Sequence, residues 1–282
     1  MKGAILLLGS ELRTRDLVAR AADQPIRLEA NVKQLFDSPN YELAFETQGA
    51  DTNALLTGYA KQPDRLIGPL DAKGVLRGAV SGEKPLLDAL SGDLVLGIEG
   101  GRIAGVSLLE AALGAFGGRV IEAVRQQGGK DWERFASDRF ESLRGTLRIA
   151  DGRLVTAPVA LTYPDWGAQL EGPIRLADLA LDLKGRLTIK PTLDAALARA
   201  FGAHGAYTPV ERVVDLASVR GEVGAPKVQI AGSAVANLAV AYAGTKEREE
   251  LKKKLEKELG PGSGEIVDHG LDVLQGILGG NK

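Results

Sequence analysis

Cysteine is absent from the 282 residues. That removes disulfides, cysteine-bound zinc, iron–sulfur clusters and thiol chemistry, but it does not place the chain in a compartment. Histidine is almost absent, with His204 and His269 the only two. His204 sits in the loop-like stretch Phe201-Gly202-Ala203-His204-Gly205 with no acid pair beside it, and His269 falls on the polar side of a C-terminal helical pattern. Two isolated histidines give zinc or triad chemistry poor support. Aromatic residues make up 5%, too few for extensive stacking on bases or sugars. The net charge is only -2, which excludes a highly basic nucleic-acid binder. Long apolar runs are lacking as well. The longest N-terminal one, Ala4 to Leu8, is too short for a signal-peptide core or a membrane span. Gly3 to Gly9 opens as though in mid-strand, so the chain reads as cut from a longer protein.

Apolar residues are plentiful, at 44%, and glycine is abundant: 36 residues, about 13% against a usual level of about 7%. Without a collagen period, those glycines serve turns, strand ends or close packing. Residues 1–106 read as mostly strand. Ile26, Leu28, Ala30 and Val32 alternate with polar neighbours, as do Tyr41, Leu43 and Phe45, then Leu70, Ala72, Gly74, Leu76 and Gly78. Period two with one apolar face is the mark of a half-buried antiparallel sheet. Turns are expected at Asp37-Ser38-Pro39-Asn40 and Lys61-Gln62-Pro63-Asp64. Asp51-Thr52-Asn53 is positioned to cap one short helix, and Lys84-Pro85 to open another.

The period changes over 107–141. Ser107 is the expected N-cap of an amphipathic helix carrying Leu108, Leu109, Ala112, Leu113, Phe116, Val120, Ile121 and Val124, bent or split at Gly114, Gly117 and Gly118. A short helix with Trp132 and Phe135 follows. Strands return over 142–243, with turns at Asp151-Gly152, Pro164-Asp165 and Gly224-Ala225-Pro226, interrupted by one helix from Pro191 to Phe201. Residues 245–282 read as two helices hinged at Gly260-Pro261-Gly262-Ser263-Gly264. The mixed charges of Lys246 to Glu258 mark the first as solvated. Three regions result: 1–86, a β-rich groove segment; 87–243, a second β region with the helical insert 107–141; and 244–282, a helical tail. The segment from Gly92 to Ile103 matches the one from Gly145 to Leu154, both read as a strand, a glycine turn and an apolar restart, so one hairpin repeats around the helical insert.

No constellation in the chain carries catalysis. Asp93, Glu99 and Asp151 flank expected turns and read as turn solvation. Gly97-Ile98-Glu99-Gly100-Gly101 has neither the phosphate-loop nor the dinucleotide pattern and reads as a hairpin turn. Trp132 and Trp166 read as core or sheet edge. The expectation is a non-enzyme with no cofactor and no metal. What remains is the sheet, whose apolar face must be buried on something. Either it is filled as a core, or part of it stays a greasy trough suited to acyl chains. The candidate lining residues are Leu94, Leu96, Ile98, Leu147, Ile149, Val159 and Leu161, with Leu108, Leu109, Leu113 and Phe116 of the insert as an alternative plug.

The order of phrases also carries a resemblance. Leu87-Asp88-Ala89-Leu90-Ser91-Gly92, then Ile98-Glu99-Gly100-Gly101-Arg102-Ile103-Ala104-Gly105-Val106-Ser107-Leu108-Leu109, resembles the C-terminal region of AsmA-like proteins. So do the phrases Phe140 to Gly152, Gly167 to Gly172, Asp178 to Leu183, and the tail Leu274-Gln275-Gly276-Ile277-Leu278-Gly279-Gly280. The clear part covers about 87–190. The resemblance implies a periplasmic envelope protein tethered to the inner membrane, with a groove-like β structure handling phospholipid or another acyl-chain lipid between inner and outer membranes. The family's usual transmembrane anchor has no counterpart here, and no catalytic residues are carried over. The expected fold is mainly β with helices (α+β): an extended, twisted antiparallel sheet forming an open groove, with amphipathic helices packed on it. The second reading is a non-catalytic assembly factor for outer-membrane biogenesis that works through envelope protein partners recruited at strand edges.

Overall fold

The computed structural model describes residues 2–80, 89–105, 107–114, 118–201, 203, 207–222 and 225–242. Thirteen strands form one open antiparallel sheet: β1 (Lys2–Leu8), β2 (Glu11–Ala21), β3 (Gln24–Lys33), β4 (Asn40–Asp51), β5 (Leu66–Ile67), β6 (Pro69–Ala79), β7 (Ser91–Ile103), β8 (Arg139–Ala150), β9 (Arg153–Thr162), β10 (Trp166–Arg175), β11 (Ala180–Ile189), β12 (Arg212–Glu222) and β13 (Ala225–Ile230). Each strand lies beside its neighbour in sequence. The exception is the two-residue β5, which pairs with the far end of β7 and leaves β4 to pair directly with β6. This is the mainly β architecture with helices that the alternation predicts. The repeated hairpin falls on β7 and on β8–β9, so its two halves are consecutive in the same sheet.

The local signals act as their chemistry dictates. Asp51 accepts from the backbone N–H groups of Asn53 and Ala54 and starts α1 (Thr52–Leu55). Ser107 Oγ accepts from the Glu110 N–H and starts α2 (Leu108–Gly114). α3 (Gly118–Gly128) and α4 (Trp132–Phe135) follow, while Phe116 and Gly117, where the bend or split is expected, lie outside the described residues. Pro191 opens α5 (Pro191–Ala200).

Three expectations need correction. Gly97 to Gly101 is no hairpin turn. β7 runs through it, because β8 offers a partner at each step, with Gly97 opposite Arg144, Glu99 opposite Ser142 and Gly101 opposite Phe140. Gly100 takes a positive φ of 67° within the strand, a conformation glycine adopts without steric cost. Ala225 and Pro226 likewise belong to a strand, already paired with Glu222 and Gly221. Finally, Gly232–Tyr242 forms a helix, α6, where strand was expected. The helices expected after Lys84-Pro85 and over 245–282, and both histidines, lie outside the described residues.

The side chains of α2 to α6 pack on one face of β7–β13. Leu109 and Leu113 of α2, Val120 and Val124 of α3, Phe135 of α4, Leu193 and Leu197 of α5, and Leu238 and Tyr242 of α6 share one buried cluster with Leu161, Leu183, Leu187, Val214 and Ile230 of the sheet. Trp166 is 1% exposed, stacks on Tyr163 at 3.9 Å, and donates its indole N–H to the Phe135 carbonyl. Core is therefore the correct reading of this tryptophan, and the ring tethers α4 to the sheet.

Two buried carboxylates fasten the helices. Asp165, in the β9–β10 turn, takes a two-pronged contact from the Arg134 guanidinium of α4 at 2.5 and 3.1 Å. Asp194 of α5 is fully buried. Its Oδ1 accepts from Arg212 Nε at 2.6 Å and the Tyr242 hydroxyl at 2.7 Å, and its Oδ2 from the Tyr207 hydroxyl at 2.6 Å and the Val210 N–H at 2.9 Å. One carboxylate thus joins α5, α6 and the start of β12, with its charge met by four donors, one of them a cation. Removing one partner of such a buried pair strands the other charge, at a cost of about 3–5 kcal/mol.

Asp194→Ala should accordingly lose about 3–5 kcal/mol in urea unfolding, whereas Asp178→Ala, at an exposed pair with Arg175, should leave the urea midpoint almost unchanged. A second expectation concerns high pH. Burial pushes the Tyr242 and Tyr163 hydroxyls above the ordinary phenol range; the hydrogen bond to Asp194 adds to it at Tyr242, the charge of Asp138 at Tyr163. Folded values above the unfolded value of about 10 give stability that is whole below that pH and lost as pH rises past it. The melting temperature should hold to about pH 9 and fall from about pH 10 upward. Tyr163→Phe should flatten part of that fall, since the Tyr163 hydroxyl has no hydrogen-bond partner among the described residues.

Candidate functional site

In an antiparallel sheet, directly opposed residues share a face. Following the register across the strands assembles the apolar alternates into rows. One row runs Leu17, Leu28, Phe45, Gly74, Leu94, Leu147, Thr156 from β2 to β9. The next runs Ala30, Leu43, Leu76, Gly92, Ile149, Leu154. A third passes through Thr47, Ala72, Leu96 and Gly145, where Val159 fills the space a Gly145 side chain would need (Cγ2 lies 2.6 Å from that Cβ position). A fourth runs Leu70, Ile98, Leu143, Leu161, Ala168, Leu187 and Val214. All seven candidate residues therefore lie on one face of one sheet, as side chains of adjacent rows.

Their surroundings divide them. Ile98 and Leu161, 1% and 4% exposed, are interlocked in the helix-covered cluster. Leu147 and Ile149 are buried outside that cluster, and Leu94, Leu96 and Val159 are half-buried outside it. The insert residues Leu109 and Leu113 are fully buried in the cluster, with Leu108 packed against it; they cover the end of the face beside β13. No residue of β1–β4 belongs to the cluster. Leu28, Leu43, Phe45 and Leu76, which continue the rows of Leu94 and Ile149, are half-buried there. Sequence reasoning read the alternation of these four but could not join them to Leu94. Which strands are neighbours, and in what register, is not encoded in period two alone.

The opposite face is polar. Arg77 pairs with Glu42 at 2.7 Å, Arg144 with Glu99 at 2.7 Å and Arg148 with Asp93 at 3.5 Å. Asp93 and Glu99 are thus cross-strand ion partners rather than turn residues, and all six side chains are more than half exposed, so the pairs contribute little each. Concavities of about 980 and 550 Å³ open on this face. Arg27, Glu46, Lys73, Val95 and Thr146 cross the floor of the larger one as one row. Its charges alternate in sign. No group of three or more His, Cys, Asp or Glu among the described residues is placed to hold a metal ion, and no described helix is long and apolar enough to cross a membrane.

Comparison with protein-family models, with curated proteins and with solved structures gives no match.

The rows depend on glycine where the strands approach. A Cβ on Gly74 would stand 2.6 Å from the Asp93 carbonyl oxygen and 2.7 Å from Leu94 Cβ. Gly74→Ala should therefore cost about 1–3 kcal/mol by overpacking in chemical unfolding. Gly9→Asn, at a left-handed turn position with nothing within 4 Å of its Cβ, should stay within about 0.5 kcal/mol of the parent chain.

Proposed function

We propose that this chain binds the acyl chains of a phospholipid or similar lipid along the apolar face of β2–β9, between N-terminal strands that share no residue with the helix-covered cluster of the described residues and the helix-sealed end. The observation that carries the reading is the unbroken set of apolar rows that outruns its helical cover. Leu28, Leu43, Phe45, Leu76, Leu94 and Leu96 face one side, and the cluster the helices bury stops short of them. An aliphatic tail laid along such rows gains about 0.8 kcal/mol for each methylene it removes from water. That interaction is non-directional and needs no catalytic group. The two faces of the same strands also differ in exposure. Val95 and Val155 on the charged face are 47% and 38% exposed, whereas the larger Leu94 and Leu96 are half-buried, as expected where side chains shelter one another in a trough. The larger concavity of the charged face sets Arg27, Glu46 and Lys73 across its floor beside Val18, Val75 and Val95, and those charges find no partner in an aliphatic tail. The AsmA-like resemblance supports the same reading and would place the activity in the periplasm, between inner and outer membranes.

A photo-crosslinking amino acid placed at Phe45 or Leu94 should capture the acyl chain of added phospholipid, detected as a mass increment on the intact protein. The same group at Val95, one residue from Leu94 on the other face, should capture none. Equal labelling on both faces, or none on either, would overturn the proposal.

A further inference from the structure

Leu28, Leu43, Phe45, Leu76 and Leu94 stay half-buried outside the helix-covered cluster. The sequence beyond α6 carries an apolar stripe of its own that needs a face to lie on. Gly260-Pro261-Gly262-Ser263-Gly264 breaks any regular element there. After the break, Val267, Gly270, Leu271, Leu274, Ile277 and Leu278 recur at spacings of three, one, three, three and one. That is the pattern of a helix with one apolar side, and Asp268, His269, Asp272 and Gln275 take other positions of the wheel. A helix this short is marginal in water by itself, and Gly270 and Gly276 weaken it further. Such a stretch gains its stability from an apolar surface that receives the stripe.

The fold brings that surface within reach. Leu238 and Tyr242 of α6 are buried on the apolar side of the sheet, so the chain leaves α6 on the same side as the half-buried rows. Tyr242 lies against Arg212 of β12, and β12 is seven strand steps from β4, about 34 Å. The 23 residues from 243 to 265 span about 35 Å if wholly helical and about 80 Å if drawn out, so the linker is long enough at either extreme. Lys246 to Glu258 mixes both signs of charge on that linker, which suits a run through solvent.

We infer that residues 266–278 dock as an amphipathic helix on the apolar rows of β3, β4, β6 and β7 of the same chain, with the stripe of Leu271 and Leu274 turned to the sheet. Thirteen helical residues measure about 20 Å, the width of four strands. Tethering favours this occupant over a free partner, since a short flexible link holds a segment near its face at an effective concentration on the order of millimolar. The docked segment and an acyl chain claim the same leucines, so each displaces the other. That exclusion rests on the lipid-binding reading; the docking does not.

In the lipid-free 282-residue chain, a photo-crosslinking amino acid at Leu94 should join to a peptide within 266–278, identified by mass spectrometry after digestion, with the undigested product keeping the 29.7 kDa of one chain. At Val95, on the other face, it should not. Leu271→Lys puts a charge in the stripe and should cut the yield about tenfold. Asp272→Lys, the next residue on the polar side, should leave it unchanged. No crosslink to 266–278, a crosslink to the segment of a second copy, equal yields at Leu94 and Val95, or equal effects of the two lysines would each overturn the docking. With phosphatidylcholine vesicles added, Leu271→Lys should raise lipid capture at Leu94 several-fold over the parent chain. Equal, measurable capture by both chains would overturn the exclusion. Capture by neither would overturn lipid binding and leave the docking, measured without lipid, standing.

Discussion

The backbone ladder between successive strands is the constraint on which everything else rests. Because each strand lies antiparallel beside the next, the period-two pattern of one strand is handed to its neighbour without loss of phase. A slip of one residue anywhere would turn every later leucine to the opposite face. The sheet holds phase even across irregularities such as the bulge between Thr47 and Ala50 and the one between Arg144 and Thr146. The resulting single apolar face is longer than any one domain core requires.

What covers that face is unequal. Over β7–β13 the chain spends five helices, two buried carboxylates and a stacked Tyr163–Trp166 pair on sealing it. Over β1–β4 the described helices contribute nothing to the buried cluster. Burying a leucine or phenylalanine fully is worth about 1.5–3 kcal/mol, so the half-buried Leu28, Leu43, Phe45 and Leu76 of two adjacent rows hold stabilisation that folding of the described part leaves uncollected. Ligand binding is one way to collect it, and it suits a face that offers area without directional groups. The polar side of the sheet, with its solvent-exposed ion pairs, adds little to stability.

The strands, most turns and the short helices were legible because each has a local cause: alternation for the strands, Asp51 and Ser107 for the helix starts, Asp151-Gly152 for a turn. The seven candidate residues were found on one face for the same reason. What stayed hidden depends on distance in sequence. Gly97 to Gly101 carries turn composition, yet lies in a strand because β8 supplies partners on one side and β5 resumes pairing at Arg102 and Ile103 on the other. α6 was missed because Ala, Val and Gly alternate as readily in a strand, and only Leu238 and Tyr242, four residues apart, betray a helical face. Asp194 gave no sign of its role: Arg212 lies 18 residues away and Tyr242 48, and only the fold brings them together. The division of the apolar face into covered and uncovered parts depends on where the helices land, which no strand records.

The nearest-neighbour order of the strands makes this molecule modular in width. Each strand adds about 4.8 Å to the sheet, and over β1–β4, which share no residue with the helix-covered cluster, energy accumulates one hairpin at a time, as in a solenoid. Inserting or deleting a hairpin among β2–β4, which share no residue with the helix-covered cluster, would change the span by about 10 Å. Reach is therefore a quantity that simple duplication can tune, and the Gly92–Ile103 and Gly145–Leu154 echo is what such a duplication would leave behind.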